Sequence, residues 1–471
     1  MKILKKIYTY SLAIGALAAL ASCDDYLDIN ENPNNPTEAP LAGLMTNSTY
    51  ETAQNVYRLG STTSSYVQYL ASPNPGGAGD TMEATSFDNT WATLYNVMTD
   101  LNDMVTAAQE TGANHYEGAG QILLALNLAM TVDAFGDVPF SQSFDFETIT
   151  PGYDSDADLY NRVFELLNEG VSNMSQETTL PLGDDDFIFE GDAEKWIKFG
   201  NMLRARYLNH LSGTGAYDPA AVLAALDSGF ESTGDDAQVE YFDQSYNPWA
   251  TVAINNANLF LGGWISEQFI AAFDGTIHGV EDPRMPLIIG ATDDGEYIGV
   301  KSGAGRGAAA EEGERSTLIE GQFYTERLGP VLIATYFEQK FIEAEAAFNI
   351  DKARSYQAYL DGIEAHMRKV GVPESEIQAY INSPEVSMGE ATFTIDDIFE
   401  EKWKAMFLHP EAWVDARRFD YQYEGFELPD NLNPNLNGQL IRRLAYPDSE
   451  RSRNGSNVPN VTLLDRIFWN E

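Results

Sequence analysis

The sequence predicts a mostly α-helical protein in which helix pairs pack with a less regular, loop-rich region and few short strands. Two observations indicate helices: apolar residues recur every three or four positions over several long stretches, and residues that commonly cap helices precede two of them. A third argues against a large sheet, because segments with alternating apolar and polar residues are scarce. Paired amphipathic helices with short links are also typical of degenerate helix-hairpin repeats, although no exact 34-residue repeat is present.

The first 22 residues are predicted to form an export signal. Three lysines precede an apolar core that ends in small residues and is too short for a comfortable membrane span. The segment 20–23, LASC, is similar to a bacterial lipobox, in which the cysteine is acylated and becomes the first residue of the mature chain. Cys23 is the only cysteine, so its acylation leaves no thiol for a disulfide. The alternative is an ordinary secretory signal that happens to contain a cysteine.

Residues 23–45 are predicted to be a lipidated acidic tether, and residues 46–471 a single folded domain, because Pro- or Ser-rich linkers are missing after residue 45. Removing residues 1–22 takes away three of the 28 basic residues and none of the 72 acidic ones, which leaves a formal charge of −47. Because a chain this acidic repels nucleic acid and anionic membrane surfaces, neither is an expected partner. With 44% hydrophobic residues it can still bury a large core.

Periodic apolar residues and caps predict five helices, which cover in chain order residues 90–109, 122–130, 192–211, 337–348 and 394–407. Asp192 is the predicted N-cap of the third, and Thr394 with Asp397 forms a predicted capping box for the fifth. A glycine-rich break is predicted at residues 118–120, just before the second helix. Each of these helices presents an apolar stripe, so we expect the stripes to meet in one core.

Strands and loops are predicted mainly in the third quarter of the chain. Residues 286–300 alternate weakly between apolar and polar types and predict a short hairpin. Residues 301–317 are rich in Gly and Ala and predict a mobile loop.

Catalytic motifs are absent from the sequence. The five histidines are scattered without an HExxH or His-x-His pattern, no G-x-S-x-G elbow occurs, and residues 303–310 lack the Lys-Ser/Thr of a phosphate-binding loop. A glycosidase needs two carboxylates about 5–9.5 Å apart, but with 72 acidic residues such a pair carries no information. The sequence therefore predicts neither catalytic residues nor a cofactor.

One calcium-like pattern has a competing structural interpretation. Asp154, Asp156, Asp158 and Glu165 occupy positions 1, 3, 5 and 12 of an EF-hand-like loop. Position 6 must be Gly for the sharp turn, yet it is Leu159, the start of an apolar helical stripe. We therefore interpret Asp156 or Asp158 as a helix cap and predict no metal site, with calcium as the alternative.

Carbohydrate binding is the function that the loops favour. Sugar rings present C–H patches that stack on aromatic faces, while their hydroxyls pair with amide or carboxylate groups. Such a site needs exposed loop aromatics beside Asn or Asp. The predicted ligand-binding residues are Tyr66, Tyr69 and Asp80 around the first loop, Tyr246, Asn247 and Trp249 in the second, and Tyr297 and Tyr324 beside the third. Trp249 is the foremost candidate for ligand contact, because it lies in a polar turn without helical periodicity.

Seven segments, in this order, resemble the SusD/RagB-type nutrient-binding outer-membrane lipoproteins of Bacteroidetes, and in particular their second subgroup. Besides the lipobox with its following LDINENPNNPT (27–37), they are TWATLYNVMTDLN (90–102), DAFGDVPFSQSF (133–144), EGDAEKWIKFGNMLRARY (190–207), KFIEAEAA (340–347), EAWVDARRFDY (411–421) and RRLAYPDSERSRNGSNV (442–458). No single segment is diagnostic, but their order covers nearly the whole mature chain.

The resemblance implies tetratricopeptide-like helix pairs, with the ligand site in the less regular region. It also implies a cell-surface location in the outer membrane, binding of a glycan without catalysis, and a SusC-like TonB-dependent transporter as partner. The acidic pair Asp24-Asp25 resembles the surface-export signal of such lipoproteins. Two alternatives stay open: peptide cargo on the same architecture, as in the RagB branch, and a lipid-anchored hydrolase.

Overall fold

The computed structural model describes residues 39–144, 148–259, 262–307 and 313–470. The predicted signal peptide at residues 1–22, the lipidation site Cys23 and most of the predicted tether lie outside the described residues. The first helix in the described part of the chain begins at Leu41, a few residues before the predicted domain boundary at residue 46.

Fifteen α-helices and two β-strands lie in the described ranges, and they confirm the prediction of a mostly α-helical fold. They are, in chain order, α1 Leu41–Thr63, α2 Asp88–Thr111, α3 Asn114–Phe135, α4 Asp156–Met174, α5 Ala193–His210, α6 Pro219–Leu226, β1 Ala237–Glu240, α7 Pro248–Leu259, α8 Glu267–Ala271, α9 Met285–Ile288, β2 Pro330–Ala334, α10 Tyr336–Ala347, α11 Lys352–Val370, α12 Glu374–Ile381, α13 Ile395–Ala405, α14 Glu411–Arg418 and α15 Asp448–Arg453. All five predicted helices are among them.

Neighbouring helices in the chain pack on each other, as the helix-pair prediction requires. The series α1 to α5 packs in sequence, and α10 packs on α11 in the second half. The link between α2 and α3 contains only Gly112 and Ala113, and Gly112 adopts the left-handed conformation that glycine tolerates best (φ 68°). These short links let the apolar stripes of successive helices face one another in a single large core.

The predicted break at residues 118–120 is wrong, because α3 runs through it without interruption. A Cβ atom on Gly118 would lie 2.8 Å from the carbonyl oxygen of Gly170 in α4, and one on Gly170 would lie 2.9 Å from that of Gly118. The glycines therefore allow two helices to approach closely instead of ending one. From Gly118 to its last residue α3 is buried on all sides, and it is the one described helix long and apolar enough to cross a membrane.

The cap predictions have mixed outcomes. Asp192 accepts hydrogen bonds from two backbone amides at the start of α5, and the capping box of Thr394 and Asp397 is present at α13. At α4, however, the cap is Ser155, whose hydroxyl accepts from the amide of Asp158. The expected Asp156 or Asp158 cap is thus wrong by one to three positions. Among the described residues, no group of three or more His, Cys, Asp or Glu is placed to hold a metal ion.

The small sheet lies elsewhere than predicted. Strands β1 and β2 pair antiparallel, with Ala237 opposite Ala334 and Glu240 opposite Pro330. Residues 286–300 instead contain part of α9 and isolated bridges to distant segments, so the hairpin prediction is wrong. β2 was missed because its run of apolar residues does not alternate, and it is buried on both faces.

Candidate ligand-binding site

A cavity of about 350 Å³ lies between the C-terminal end of α1, the segment 70–80 and α7. Its volume falls in the range of small-ligand sites, about 300–1,000 Å³. It is lined by Ser61, Ser65, Leu70, Ala71, Ser72, Pro73, Gly77, Ala78, Gly79, Asp80, Trp249, Val252, Asn255, Gly262 and Gly263. The cavity therefore brings together two of the three predicted loops, one through Asp80 and the other through Trp249.

The Gly/Pro-rich segment 72–80 is held in place by the start of the third predicted loop. The amide of Gly76 donates to the carbonyl of Gly303 at 2.9 Å, and the amide of Arg306 donates to the carbonyl of Pro73 at 3.0 Å. Gly305 has a positive φ of 74°, and a Cβ there would lie 2.6 Å from the nitrogen of Pro75. Only glycine fits such a crossing, so the predicted mobile loop 301–317 is tied down at its N-terminal end.

Asp80 joins these segments at the edge of the cavity. Its side chain is fully buried, and Oδ2 accepts hydrogen bonds from the amides of Ser72 at 2.8 Å and Gly303 at 3.0 Å. Oδ1 accepts no hydrogen bond of good geometry from a described residue. Burial raises the pKa of the carboxyl, while these two amides and the Ser65 hydroxyl partly offset that effect. Asp80 thus ties the segment 72–80 to Gly303 at the edge of the cavity, with its carboxylate shielded from solvent.

Trp249 is not in a polar turn, as the sequence suggested, but in the first turn of α7. The side-chain oxygen of Asn247 accepts from the backbone amide of Trp249 at 2.9 Å, as an N-cap does. The indole ring meets Tyr57 edge to face with centroids 4.9 Å apart, and only 4% of the residue is exposed. Trp249 therefore contributes a largely buried wall to the cavity, not a projecting platform.

Three of the predicted tyrosines are buried in the core, so the expectation that they are exposed is wrong. Tyr66 packs against Trp413 with ring centroids 5.5 Å apart. Tyr69 stacks on Trp403, and its hydroxyl donates to the carbonyl of that residue at 2.5 Å. Tyr324 forms a hydrogen bond with His366 at 3.1 Å. Burying an aromatic ring is favourable, and each of these three side chains packs against or hydrogen-bonds to a residue inside the protein.

Asn247 is also fully buried. Its side-chain amide donates to the carbonyls of Tyr324, Gly329 and Pro330 at 3.2–3.3 Å. All its hydrogen-bonding capacity is therefore spent on joining α7 to the segment before β2, and none faces the cavity.

Tyr246 and Tyr297 are accessible but do not line the cavity. Tyr246 is 37% exposed, and the Arg327 guanidinium lies 5.1 Å from its ring centroid. Tyr297 is half-buried. Phe187 and Phe242, the most exposed phenylalanines among the described residues, line a separate, larger and more polar cavity of about 680 Å³.

Sequence reasoning missed Ser61, Ser65 and Asn255 in the cavity wall. Trp249, Val252 and Asn255 recur every three residues, so they share one face of α7. That spacing could have indicated Asn255 as a neighbour of Trp249, but only after a helix is assigned to residues 248–259.

The chain matches the family model SusD-like_2, described as starch-binding and associating with the outer membrane, over residues 33–447. A SusD/RagB family protein from Bacteroides thetaiotaomicron has the same fold, with a TM-score of 0.74 at 20% identity over 92% of this chain and 99% of the other. A chitin-binding protein aligns at 20% identity with a TM-score of 0.76 over 92% and 100% of the two chains.

A chitin-binding SusD homolog from Flavobacterium johnsoniae aligns at 19% identity, with a TM-score of 0.74 over 91% of this chain and 98% of the other. At these identities the likeness shows the fold. No curated protein matches the sequence. Because the family model covers most of the chain and the helical architecture agrees with its solved relatives, the chain belongs to the SusD-like family of starch-binding proteins that associate with the outer membrane.

Proposed function

We propose that the protein is a lipid-anchored protein of the outer-membrane surface that binds glycans and delivers them to a SusC-like TonB-dependent transporter, without catalysing a reaction. The family description and the two chitin-binding relatives support a glycan ligand. The lipobox at residues 20–23 and the acidic residues after it support the anchor and its location. The transporter follows from the family resemblance.

The cavity bounded by Trp249 and Asp80 is the observation that carries the glycan assignment. An aromatic wall suits the C–H faces of a sugar ring, and the residues that line the cavity also include Asp80, Asn255, Ser61 and Ser65, whose carboxylate, amide and hydroxyl groups are of the kinds that pair with sugar hydroxyls. Among the described residues that line the cavity there is no lysine or arginine. An anionic sugar would meet Asp80 without a compensating cation, so the cavity favours neutral glycans over acidic ones.

The same lining argues against hydrolysis. A glycosidase needs a pair of carboxylates about 5–9.5 Å apart, whereas Asp80 is the single acidic residue among the described residues that line the cavity. The backbone amides of Ser72 and Gly303 donate to Asp80, so this carboxylate holds two segments together and has a structural role. Binding with later release is the activity that such a site supports.

Calorimetric titration of the full chain, in a detergent without a sugar head group, tests this proposal against neutral glycans, acidic glycans and oligopeptides. Asn255→Ala is the informative variant, because Asn255 is exposed on α7 and its loss leaves the core intact. Thr251→Ala is the matched control, exposed on the same helix but outside the cavity lining. We expect a neutral glycan to bind, Asn255→Ala to weaken it by about 1 kcal/mol, and the control to match the wild type.

Other outcomes are equally informative. Binding that survives Asn255→Ala and disappears in Phe242→Ala would move the site to the 680 Å³ cavity. Binding of peptides alone would replace the cargo class. Cleavage of any compound would contradict the absence of enzymatic activity.

A further inference from the structure

An acidic pocket of about 190 Å³ lies on α13 and shares no lining residue with the glycan cavity. Its walls are formed by His278, Tyr359, Tyr380, Glu385, Val386, Asp396, Asp397, Glu400, Glu401, Gln422 and Glu424. Six of these are carboxylates, and they come from three separate segments of the chain. Asp397 belongs to the α13 capping box, so the charge of the others needs a different explanation.

Glu400 is the buried carboxylate of this pocket, with 8% of the residue exposed. One oxygen, Oε1, accepts from the amide of Glu424. The other, Oε2, lies 3.9 Å from Nε2 of His278, which is too far for a hydrogen bond. Neither of these two atoms has a hydrogen-bond partner among the described residues. Two unsatisfied polar atoms thus face each other across a gap in the pocket wall.

The neighbouring cations Arg284 and Lys404 form their ion pairs with carboxylates other than Glu400. Arg284 contacts Glu401 at 2.7 Å and also pairs with Asp282, while Lys404 pairs with Glu401 and lies 3.6 Å from Asp282. This network holds two positive and two negative charges and is balanced without Glu400. Burial consequently raises the pKa of Glu400 to about 7, since an isolated buried carboxylate is costly.

His278 does not supply the missing charge. Burial and the proximity of Lys404 lower the pKa of His278 to about 4, so the imidazole is neutral at neutral pH. A neutral imidazole can accept a hydrogen bond at its unprotonated nitrogen. The pocket therefore presents two acceptors and an excess of negative charge, while the described residues offer no cluster with the geometry of a metal site.

We propose that this pocket binds the primary ammonium group of an amine, held between Glu400 Oε2 and His278 Nε2. An ammonium has three N–H donors and no acceptor, and charge-assisted hydrogen bonds of about 2.7–2.9 Å to two acceptors 3.9 Å apart are compatible with its tetrahedral shape. The exposed acids Glu385, Asp396 and Glu424 attract a cation to the entrance. Such a group can come from a free amine or from a lysine side chain of a peptide.

Ammonium binding must displace the proton from Glu400, so affinity rises with pH from about 5 to 8. The other titratable or charged groups that face Glu400 are His278, Asp282, Arg284, Tyr359, Tyr380, Glu385, Asp396, Asp397, Glu401, Lys404 and Glu424. Burial raises the pKa of both tyrosines well above its ordinary value, and the charges of Lys404 and Arg284 hold the pKa of Glu401 below its ordinary value, whereas the pKa of Glu400, about 7, lies within this interval.

Ligand-detected NMR on the full chain tests the proposal with propylamine, N-acetyl-lysine amide, propanol and calcium chloride. Glu400→Gln keeps the oxygen that accepts from Glu424 but removes the charge, and Glu385→Gln is the matched control at the exposed rim. We expect both amines to bind the wild type, Glu400→Gln to weaken them by about tenfold or more, and Glu385→Gln to change affinity by less than about threefold. Binding of only one amine would identify the source of the ammonium group.

Equal affinity of both amines for wild type and Glu400→Gln would overturn the proposal, as would equal binding of propanol or a preference for calcium. Calorimetry on the wild type at pH 7, in two buffers of different ionisation enthalpy, gives a check that needs no variant. Release of protons on amine binding is expected, and binding without proton release contradicts the role of Glu400. Thermal unfolding of each variant verifies that it is folded.

Discussion

His366 is a buried histidine held between a cation and a hydroxyl. Nδ1 lies 3.1 Å from the Arg284 guanidinium and Nε2 lies 3.1 Å from the Tyr324 hydroxyl. The guanidinium can only donate, so Nδ1 is the acceptor and the ring is neutral. Burial, followed by the charge of Arg284, holds the pKa of His366 well below its ordinary value of 6.5.

This arrangement makes the protein sensitive to acid. Below about pH 6.5 the unfolded chain binds a proton at His366 that the folded chain does not, so the free energy of unfolding falls by up to about 1.4 kcal/mol per pH unit. We expect His366→Gln to show a smaller loss of stability between pH 7 and pH 5, by up to about 2 kcal/mol. Urea unfolding at both pH values measures this difference, and equal losses in the two proteins would contradict it.

At the residue scale, the chemistry of the loops was predictable but the direction of their side chains was not. Composition marked Asp80 and Trp249, and both reach the cavity. Tyr69 is buried against Trp403, which lies 334 positions away along the chain. No local pattern reports such a partner, so an aromatic residue beside a loop looks the same whether it serves a ligand or the core.

The crossing of α3 and α4 depends on two glycines facing each other. A Cβ on Gly118 meets the carbonyl of Gly170 and the backbone nitrogen of Met174 within 2.9 Å, contacts that side-chain rotation cannot relieve. We expect Gly118→Ala to force the helices apart and to lower the free energy of unfolding by about 1–3 kcal/mol. Urea denaturation measures this effect.

Gly43→Ala is the control for helix propensity. Gly43 lies exposed in α1, and the nearest atom to an added Cβ there is 3.5 Å away. Alanine should therefore stabilise the protein at this position by about 0.5–1 kcal/mol. A stabilising Gly118→Ala would mean that α3 and α4 can separate freely.

At the element scale, the five helices that were predicted from local signals are all present. The apolar spacing lies within these helices, and the caps Asp192 and Thr394 directly precede two of them. Two features required knowledge of a neighbour. The glycines of α3 resemble a break unless α4 is placed against them, and the apolar run of β2 becomes a strand only by pairing with β1 about 90 residues earlier.

At the scale of the whole molecule, the order of motifs was enough to predict the family and its helical architecture, because it spans nearly the entire chain. The position of the candidate site was not predictable in the same way. Its wall combines α1, the segment 70–80 and α7, and its shape depends on a crossing with residues 303–306. Only the folded chain brings these four segments together.

The lipid anchor proposed at Cys23 would fix the whole molecule to the membrane. Two acyl signals are needed for stable membrane attachment, and a lipidated N-terminal cysteine with a thioether-linked and an amide-linked chain supplies both. We expect Cys23→Ala to move the protein from the membrane fraction to the soluble fraction, as measured by cell fractionation and immunoblotting. Ser22→Ala keeps a small residue before the cysteine and should leave attachment unchanged. Retention of Cys23→Ala in the membrane would contradict the lipid anchor and favour an ordinary secretory signal with another mode of attachment.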